Sequence, residues 1–550
     1  MTSKQFKYLI FFLGLAVFIN VYYEINLFIF NPQSNNPEEI PLINKLMGVA
    51  SYENDEFVTV MTSNFTQATP YITLITLLGK LFHTETNLLF IYFSLHLLTL
   101  VLFYISIRHI LKQITTCNEL ITNISIISFM LFLEIIYVVP NQRNLFYDFL
   151  DPEFLTYPFL FLTISLYLEK KHFLSLISLL VGTILHPLYT IPLLFGLLIC
   201  LLFDFINKSQ SFKTTLRNML LYTGVVIPYS GFLWFCSRQK TPSELDSSLI
   251  LEIVRAPHHY KIPTVISYDH STLVFFIYVF ITAAISLILF KTSIKNKTLT
   301  EATKIEAYTK LCIINLSLVS LLIFTSLFSQ FIRLQILVRL TPYRIGVVIV
   351  VLSWLLLIAS LINLLKLTEH VLNVTDVISL CICVLVFLGI NLTRTETPKT
   401  FSKSSSSEEF INWIKKDTKN SDLFLNYTDI DIRTTALRSD YFRFQTPPLV
   451  GDAEIAWYKE FYIFYDIPDE TKLTDYASVK NYASSQHTIS LNRVLRRINK
   501  PIKYVLISKS QKSFSRIEDW VNLKNKNYKY DISGLKKAFE NKDYSAYTTN

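Results

Sequence analysis

Hydrophobic residues in this chain gather into long runs separated by short polar turns, and most runs approach the roughly 20 apolar residues that a helix needs to cross about 30 Å of hydrocarbon. Such runs lie at 86–107, 121–140, 154–169, 173–187, 188–206, 217–236, 272–291, 309–331, 345–366 and 374–392. An earlier run, Tyr8 to Phe30, follows Lys4 and Lys7. It is too long for a signal peptide and has no small-residue cleavage site, so it predicts a retained first helix with its N-terminus in the cytoplasm. A polar segment from Asn31 to about Ala68 comes next, followed by a short apolar stretch, Pro70 to Phe82. That stretch cannot span a bilayer and is expected to lie along its surface. The pattern is ambiguous at His186-Pro187, where two short halves read either as one broken helix or as a hairpin.

The pattern changes after Arg394. A Ser-rich linker, Ser402 to Ser407, leads into a helix start at Ser407-Glu408-Glu409. Beyond it, Phe410 to Lys416 reads as helix, Leu423 to Tyr427 and Tyr504 to Ser508 as strands, and Ile489 to Ile498 as a basic amphipathic helix. The expectation is an α-helical polytopic membrane protein with about eleven transmembrane helices and a small C-terminal α/β domain. Its divisions are 1–395 (membrane domain, with a first external loop and interfacial helices at 31–85), 396–408 (linker) and 409–550 (soluble domain).

Composition agrees with the pattern. The 550 residues are 51% hydrophobic and 17% charged, against about 25% charged in a soluble globular chain. The net charge of +9 needs no nucleic-acid partner, because cytoplasmic loops of membrane proteins carry excess Lys and Arg. Loops assigned to the cytoplasm hold Arg108 and Lys112, Lys170 and Lys171, Lys208, Lys213 and Arg217, then Lys291, Lys295, Lys297, Lys304 and Lys310. With the N-terminus inside and an odd number of spans, the C-terminal domain falls outside the cytoplasm. The six cysteines (Cys117, Cys200, Cys236, Cys312, Cys381, Cys383) lie in or beside apolar runs and read as packing residues.

This topology sends four polar clusters to the external face. The first is the acidic loop with Glu38, Glu39, Glu53, Asp55 and Glu56, whose carboxylates suit a general base that activates an acceptor hydroxyl; for any one of them a solvated loop is the plainer reading. The second is Arg255-Ala256-Pro257-His258-His259-Tyr260, suited to phosphate contact. The third is Arg333, Arg339 and Arg344, basic residues on the side that should be poor in them, which either hold a lipid phosphate or pair with the acidic loop. The fourth comprises His96, His186, Asp148, Asp151 and Glu153, ionisable groups at membrane depth, where each needs a cavity or a partner. For His96 alone, an interhelical hydrogen bond is the plainer reading. No Walker loop, dinucleotide fingerprint, HExxH or serine elbow occurs, and the chain has only 11 Gly. A cytosolic nucleotide donor is thereby disfavoured.

The layout resembles the C-type membrane glycosyltransferase fold (GT-C), and more closely bacterial multispan proteins of that architecture. The residues that carry the resemblance are Tyr52-Glu53-Asn54-Asp55-Glu56-Phe57, Thr69-Pro70-Tyr71, His186-Pro187, Arg255-Ala256-Pro257-His258-His259-Tyr260, Pro342-Tyr343-Arg344, Trp413-Ile414-Lys415 and Trp457-Tyr458. The family usually has an Asp, often Asp-Glu, soon after helix one; here Asn36-Pro37-Glu38-Glu39 stands there and the first Asp is Asp55. The resemblance implies an inverting glycosyltransferase in the bacterial inner membrane, using a polyprenyl-phosphate-linked sugar or another lipid-linked glycan at the outer face. Asp55, Glu39 or Glu38 would be the base. Arg255, His258, His259, Arg339 and Arg344 would hold the donor phosphate, and His186, Asp151 and His96 would support the site. No cofactor is required, and a divalent metal is left open. The alternatives are a catalytically silent relative that binds or assembles envelope glycans or lipids and, last, a transporter, for which the sequence offers only the break near His186-Pro187.

Overall fold

The computed structural model describes residues 36–83, 88–115, 119–135, 150–243, 245–250, 277–285, 287–288, 302–331, 342–364, 405–428, 430–443, 447–469, 488–509 and 529–549. The expected first helix, the run at 374–392, and Arg255, His258, His259 and Arg339 lie outside the described residues. The chain divides into two compact units. One takes described residues from Tyr92–Phe232 and His258–Lys399; the other takes them from Phe30–Ile91, Leu233–Pro257 and Thr400–Asn550.

Three short helices come first: α1 (Asn36–Met47), α2 (Glu56–Ser63) and α3 (Thr69–Leu81). They pack together in the second unit, with Tyr71, Ile72 and Ile75 buried on the inner side of α3.

The first unit is a helical bundle built from α4 (Leu89–Ile114), α5 (Glu119–Ile135), α6 (Pro152–Leu168), α7 (His172–Leu185), α8 (Pro187–Ile206), α9 (Phe212–Ser237), α10 (Ala302–Phe331) and α11 (Gly346–Leu364). Among the described residues, four helices, at Phe90–Ile114, Pro187–Ile206, Phe212–Ser237 and Ala302–Thr325, are long and apolar enough to cross a membrane; Pro152–Leu168, His172–Leu185 and Gly346–Ile362 are shorter apolar helices. A 3-10 turn, Pro342–Ile345, leads into α11, which is apolar all round and buried from Val347 to Leu352, as a helix without a polar stripe must be.

Side-chain hydroxyls bond along and between these helices, because an unpaired polar group in apolar surroundings is costly. Thr99, Thr163 and Thr325 each donate to the carbonyl four residues back. Ser175 donates to the Thr163 carbonyl at 2.9 Å and Ser178 to that of Phe159 at 2.8 Å, a pairing that runs α6 and α7 antiparallel. Tyr157 meets Tyr189 and Tyr167 meets Asp204, so α6 and α8 run parallel. The chain therefore reverses between α7 and α8, and it does so at one extended residue, His186 (φ −159, ψ 92). Of the two readings left open at His186-Pro187, this is the hairpin. Pro187 has no N–H to lose at a helix start. Gly182 admits the reversal: a Cβ there would meet Thr190 Cγ2 at 3.3 Å.

The C-terminal part of the second unit holds α12 (Ser405–Asp417), β1 (Leu423–Tyr427), β2 (Ser439–Asp440), α13 (Gly451–Phe464), β3 (Thr488–Ser490), α14 (Leu491–Arg497), β4 (Ile502–Ser508), β5 (Lys529–Asp531), β6 (Lys536–Glu540) and β7 (Tyr544–Thr548). The stretch read from sequence as one helix, 489–498, divides into β3 and α14. A five-stranded mixed sheet has the order β2-β1-β4-β7-β6, with β1 parallel to β2 and β4, and β7 antiparallel to β4 and β6. Every residue of β1 is buried. Strand side chains alternate between faces: Phe424 packs with Phe410 and Ile414 of α12 on one face, and Leu423, Leu425 and Tyr427 pack with Trp457, Phe461 and Phe464 of α13 on the other.

Candidate functional site

Ionisable residues of the helical bundle collect at its two ends. One end carries the C-termini of α4, α6 and α8 and the N-termini of α5, α7 and α10. There Arg108 pairs with Glu119 at 2.6 Å, His109 and Lys171 with Glu169 at 2.7 and 2.8 Å, Lys170 with Glu306 at 3.1 Å, and Lys310 with both Asp204 and Glu306 at 2.9 Å. Asp204 and Lys310 are fully buried. These are basic residues that the sequence assigned to a single side.

The opposite end holds residues that the sequence singled out for chemistry. Asp151 caps α6, its Oδ1 accepting from Phe154 N at 2.6 Å. Glu153 follows in the first turn, where the helix dipole favours a carboxylate. Its Oε2 accepts from the Tyr189 hydroxyl at 2.6 Å, and Tyr157 donates to Tyr189 at 3.2 Å. Arg344, from the 3-10 turn before α11, pairs with Glu153 Oε1, and His186 Nε2 stands 3.9 Å from the same oxygen. The His96 ring lies 4.9 Å from that of Phe154. The bundle thus brings Asp151, His186, His96 and Arg344 around Glu153, a residue that the sequence placed at membrane depth without a role. Glu153 and His186 are buried, and Arg344 is 16% exposed on its side chain. An anion, a cation and an imidazole therefore meet where α6 and α8 begin.

The second unit holds the other chemistry-bearing cluster. Asp55 caps α2 through a bond from Val58 N at 3.1 Å. Arg433, in a helical turn after β1, grips it with Nε to Oδ2 at 2.6 Å and Nη2 to Oδ1 at 3.0 Å, and Asp440 N donates to Oδ2 at 3.0 Å. Asp55 is 0% exposed and Arg433 1%. The Tyr52 hydroxyl donates to the Arg433 carbonyl at 2.6 Å, Asn54 Nδ2 to the Ser421 carbonyl at 2.7 Å, and Arg433 lies over the Phe57 ring. Tyr52 (φ 48) and Leu437 (φ 56) are both left-handed, a conformation that bulky residues rarely adopt and that surrounding contacts must hold. Burial pushes the Asp440 carboxyl up to about 7, an effect partly offset by Arg433 and reinforced by the neighbouring Asp55 carboxylate. Beside this seam Lys500 bridges Glu56 and Glu460, and burial lifts Glu460 to about 7.

Asp55, proposed from sequence as a base, thus has four donors on its two oxygens and no exposure. In this arrangement it holds the start of α2 to the α/β sheet. Glu38 and Glu39 sit in the first turn of α1, Glu39 buried and Glu38 half-buried. Sequence reasoning missed Arg433, Asp440 and Lys500, and nothing local marks them. Among the described residues no three His, Cys, Asp or Glu side chains stand close enough to hold a metal ion. No protein-family model matches the chain, and none of the curated proteins is similar to it.

Proposed function

We propose that this chain is a bacterial inner-membrane glycosyltransferase of the C type, taking its sugar from a polyprenyl-phosphate donor at the outer face. In this reading about eleven helices span the bilayer, the N-terminus is cytoplasmic and the C-terminal α/β domain is extracytoplasmic. The observation that carries it is the buried Glu153, Arg344 and His186 group where α6 and α8 begin. Ionisable groups at membrane depth mark substrate paths, and Arg with helix starts suits a phosphate at the membrane surface. In the transfer, the acceptor oxygen bonds to the anomeric carbon as the carbon–oxygen bond to phosphate breaks. The acceptor proton passes to a carboxylate, and polyprenyl phosphate leaves on Arg344 and His186. With Asp55 committed to Arg433, the carboxylate within this group for that role is Glu153.

The test is transfer from radiolabelled polyprenyl-phosphate sugars by the purified full chain. Activity should fall at least a hundredfold in Arg344→Ala, on the scale of losing one transition-state charge contact. Full activity in Arg344→Ala and His186→Ala would refute the site. One observation favours a second reading: the four donors on Asp55 suit a catalytically silent relative that binds lipid-linked glycan. Binding without turnover across sugar donors would select it.

A further inference from the structure

Glu153 and Arg344 neutralise one another in the bundle, and the guanidinium has donors beyond the one that this pair uses. Arg344 Nη1 is taken by Glu153, while its Nε is buried and has no hydrogen-bond partner among the described residues. Among the described residues the guanidinium therefore has a donor to spare. α8 starts without a side-chain cap, its N-cap residue being His186, so the backbone end of a 20-residue helix faces the same group. Arg344 is also the most exposed of the three, at 16% against 5% for Glu153 and 3% for His186, and is the member that a ligand reaches first.

We propose that the Glu153 carboxylate is a resident stand-in for the phosphate of an isoprenoid phosphate, and that the ligand phosphate displaces it from Arg344 on binding. Carboxylate and phosphate both accept the forked donors of a guanidinium, so one can replace the other on Arg344. The phosphate brings more charge and more acceptor atoms, enough to engage the spare Nε and the start of α8 together. The displaced carboxylate must also give up the Tyr189 hydroxyl, 2.6 Å away in the free protein, and His186 then lies between two anions, ready to bridge them when protonated. The isoprenoid class follows from the apolar helices around the group, which accept a hydrocarbon chain where a free anion would have to shed its water. This inference rests on the glycosyltransferase reading for its ligand class, but its test needs no turnover.

The experiment measures binding of farnesyl phosphate, dioleoyl phosphatidic acid and inorganic phosphate to the full chain in detergent, for wild type, Glu153→Gln, Tyr189→Phe and Arg344→Gln. Removing the competing charge in Glu153→Gln should tighten farnesyl phosphate about tenfold, a modest fraction of a close charge pair's coupling. Tyr189→Phe, which removes one hydrogen bond to the carboxylate and leaves its charge, should give a smaller gain in the same direction, and it carries the test if Glu153→Gln does not fold. Arg344→Gln should abolish binding. Unchanged or weaker binding in both Glu153→Gln and Tyr189→Phe overturns the proposal, as does an equal gain for phosphatidic acid or inorganic phosphate. A tenfold gain without glycosyl transfer in any assay would sink only the catalytic reading; transfer with no gain would sink only this one.

Discussion

Arg433 holds Asp55 through two hydrogen bonds, Nε to Oδ2 and Nη2 to Oδ1, across 378 residues of chain and with almost no solvent at either side chain. The pair joins the start of α2 to the turn after β1. An ion pair so buried is expensive to break on one side, since the surviving charge is left without a partner.

Asp55→Ala or Arg433→Ala should therefore cost about 3–5 kcal/mol each. The double replacement Asp55→Ala with Arg433→Ala should cost less than the sum, because it removes both charges. Thermal unfolding of the four proteins gives the cycle. Additive costs would mean that the two residues act independently.

The pH dependence follows from Asp440 and Glu460, whose carboxyls burial lifts from 3.8 and 4.5 to about 7. A raised carboxyl favours the protonated form in the folded state. Its contribution is complete below about pH 4, near the unfolded value, and is lost as pH rises through about 7. The melting temperature should thus fall between these limits, and Asp440→Asn should flatten part of that fall. A melting temperature that climbs across the same window would contradict the assignment.

Gly451 starts α13 directly against the backbone of the segment after α9. A Cβ at this position would stand 2.4 Å from Gln239 N and 2.6 Å from its Cα, and backbone cannot swing aside as a side chain can. Gly451→Ala should destabilise by about 1–3 kcal/mol, the usual cost of overpacking. It should also raise proteolytic cleavage near Lys240, which with Thr241 donates to Asp452 through backbone N–H groups. An unchanged cleavage rate would show that the segment packs elsewhere.

Lys310 neutralises Asp204 at 2.9 Å with both side chains 4% exposed. Lys310→Ala strands a buried carboxylate and should cut the folded yield from membranes severalfold. Lys310→Ala combined with Asp204→Asn should recover much of it, as the stranded charge is gone. The readout is monodisperse protein by size-exclusion chromatography. No recovery in the double variant would leave Lys310 acting through something other than Asp204.

The topology is open to a labelling test. In a cysteine-free background, Lys416→Cys should react with an impermeant maleimide in intact cells, whereas Lys208→Cys should react only after the membrane is breached. The reverse pattern would invert the proposed orientation.

What the sequence made legible was set by range. The apolar runs and the end-wise sorting of Lys and Arg are local signals, and the described helices α4 to α11 fall on the runs. β1 matches the stretch read as a strand, and β4 extends its read stretch by two residues, because consecutive buried residues mark a strand that is covered on both faces. At 489–498 a three-residue strand was hidden by the amphipathic pattern of the turn beside it. The His186-Pro187 break was visible, but its sense was not: only the parallel course of α6 and α8 makes it a reversal. Asp55 was singled out for its charge, while its capping position, one residue before α2 and three before Val58, was an equally local signal for a structural duty. Its mate Arg433 could not be found, since no spacing rule joins residues so far apart. Arg344 and Glu153 were both noted, though not as a pair.

Because the second unit draws on residues near both termini and on a stretch in the middle, its assembly has an order imposed by synthesis. α1 to α3 leave the ribosome long before β1 and Arg433 exist, and Asp55 must wait with its charge unmet while several hundred residues are threaded and inserted. Closing so distant a loop is slow, so the nascent α1 to α3 segment needs shelter in the meantime, from the lipid surface or from a chaperone. Truncation ahead of β1 would strand it permanently, and quality-control proteolysis would be its fate.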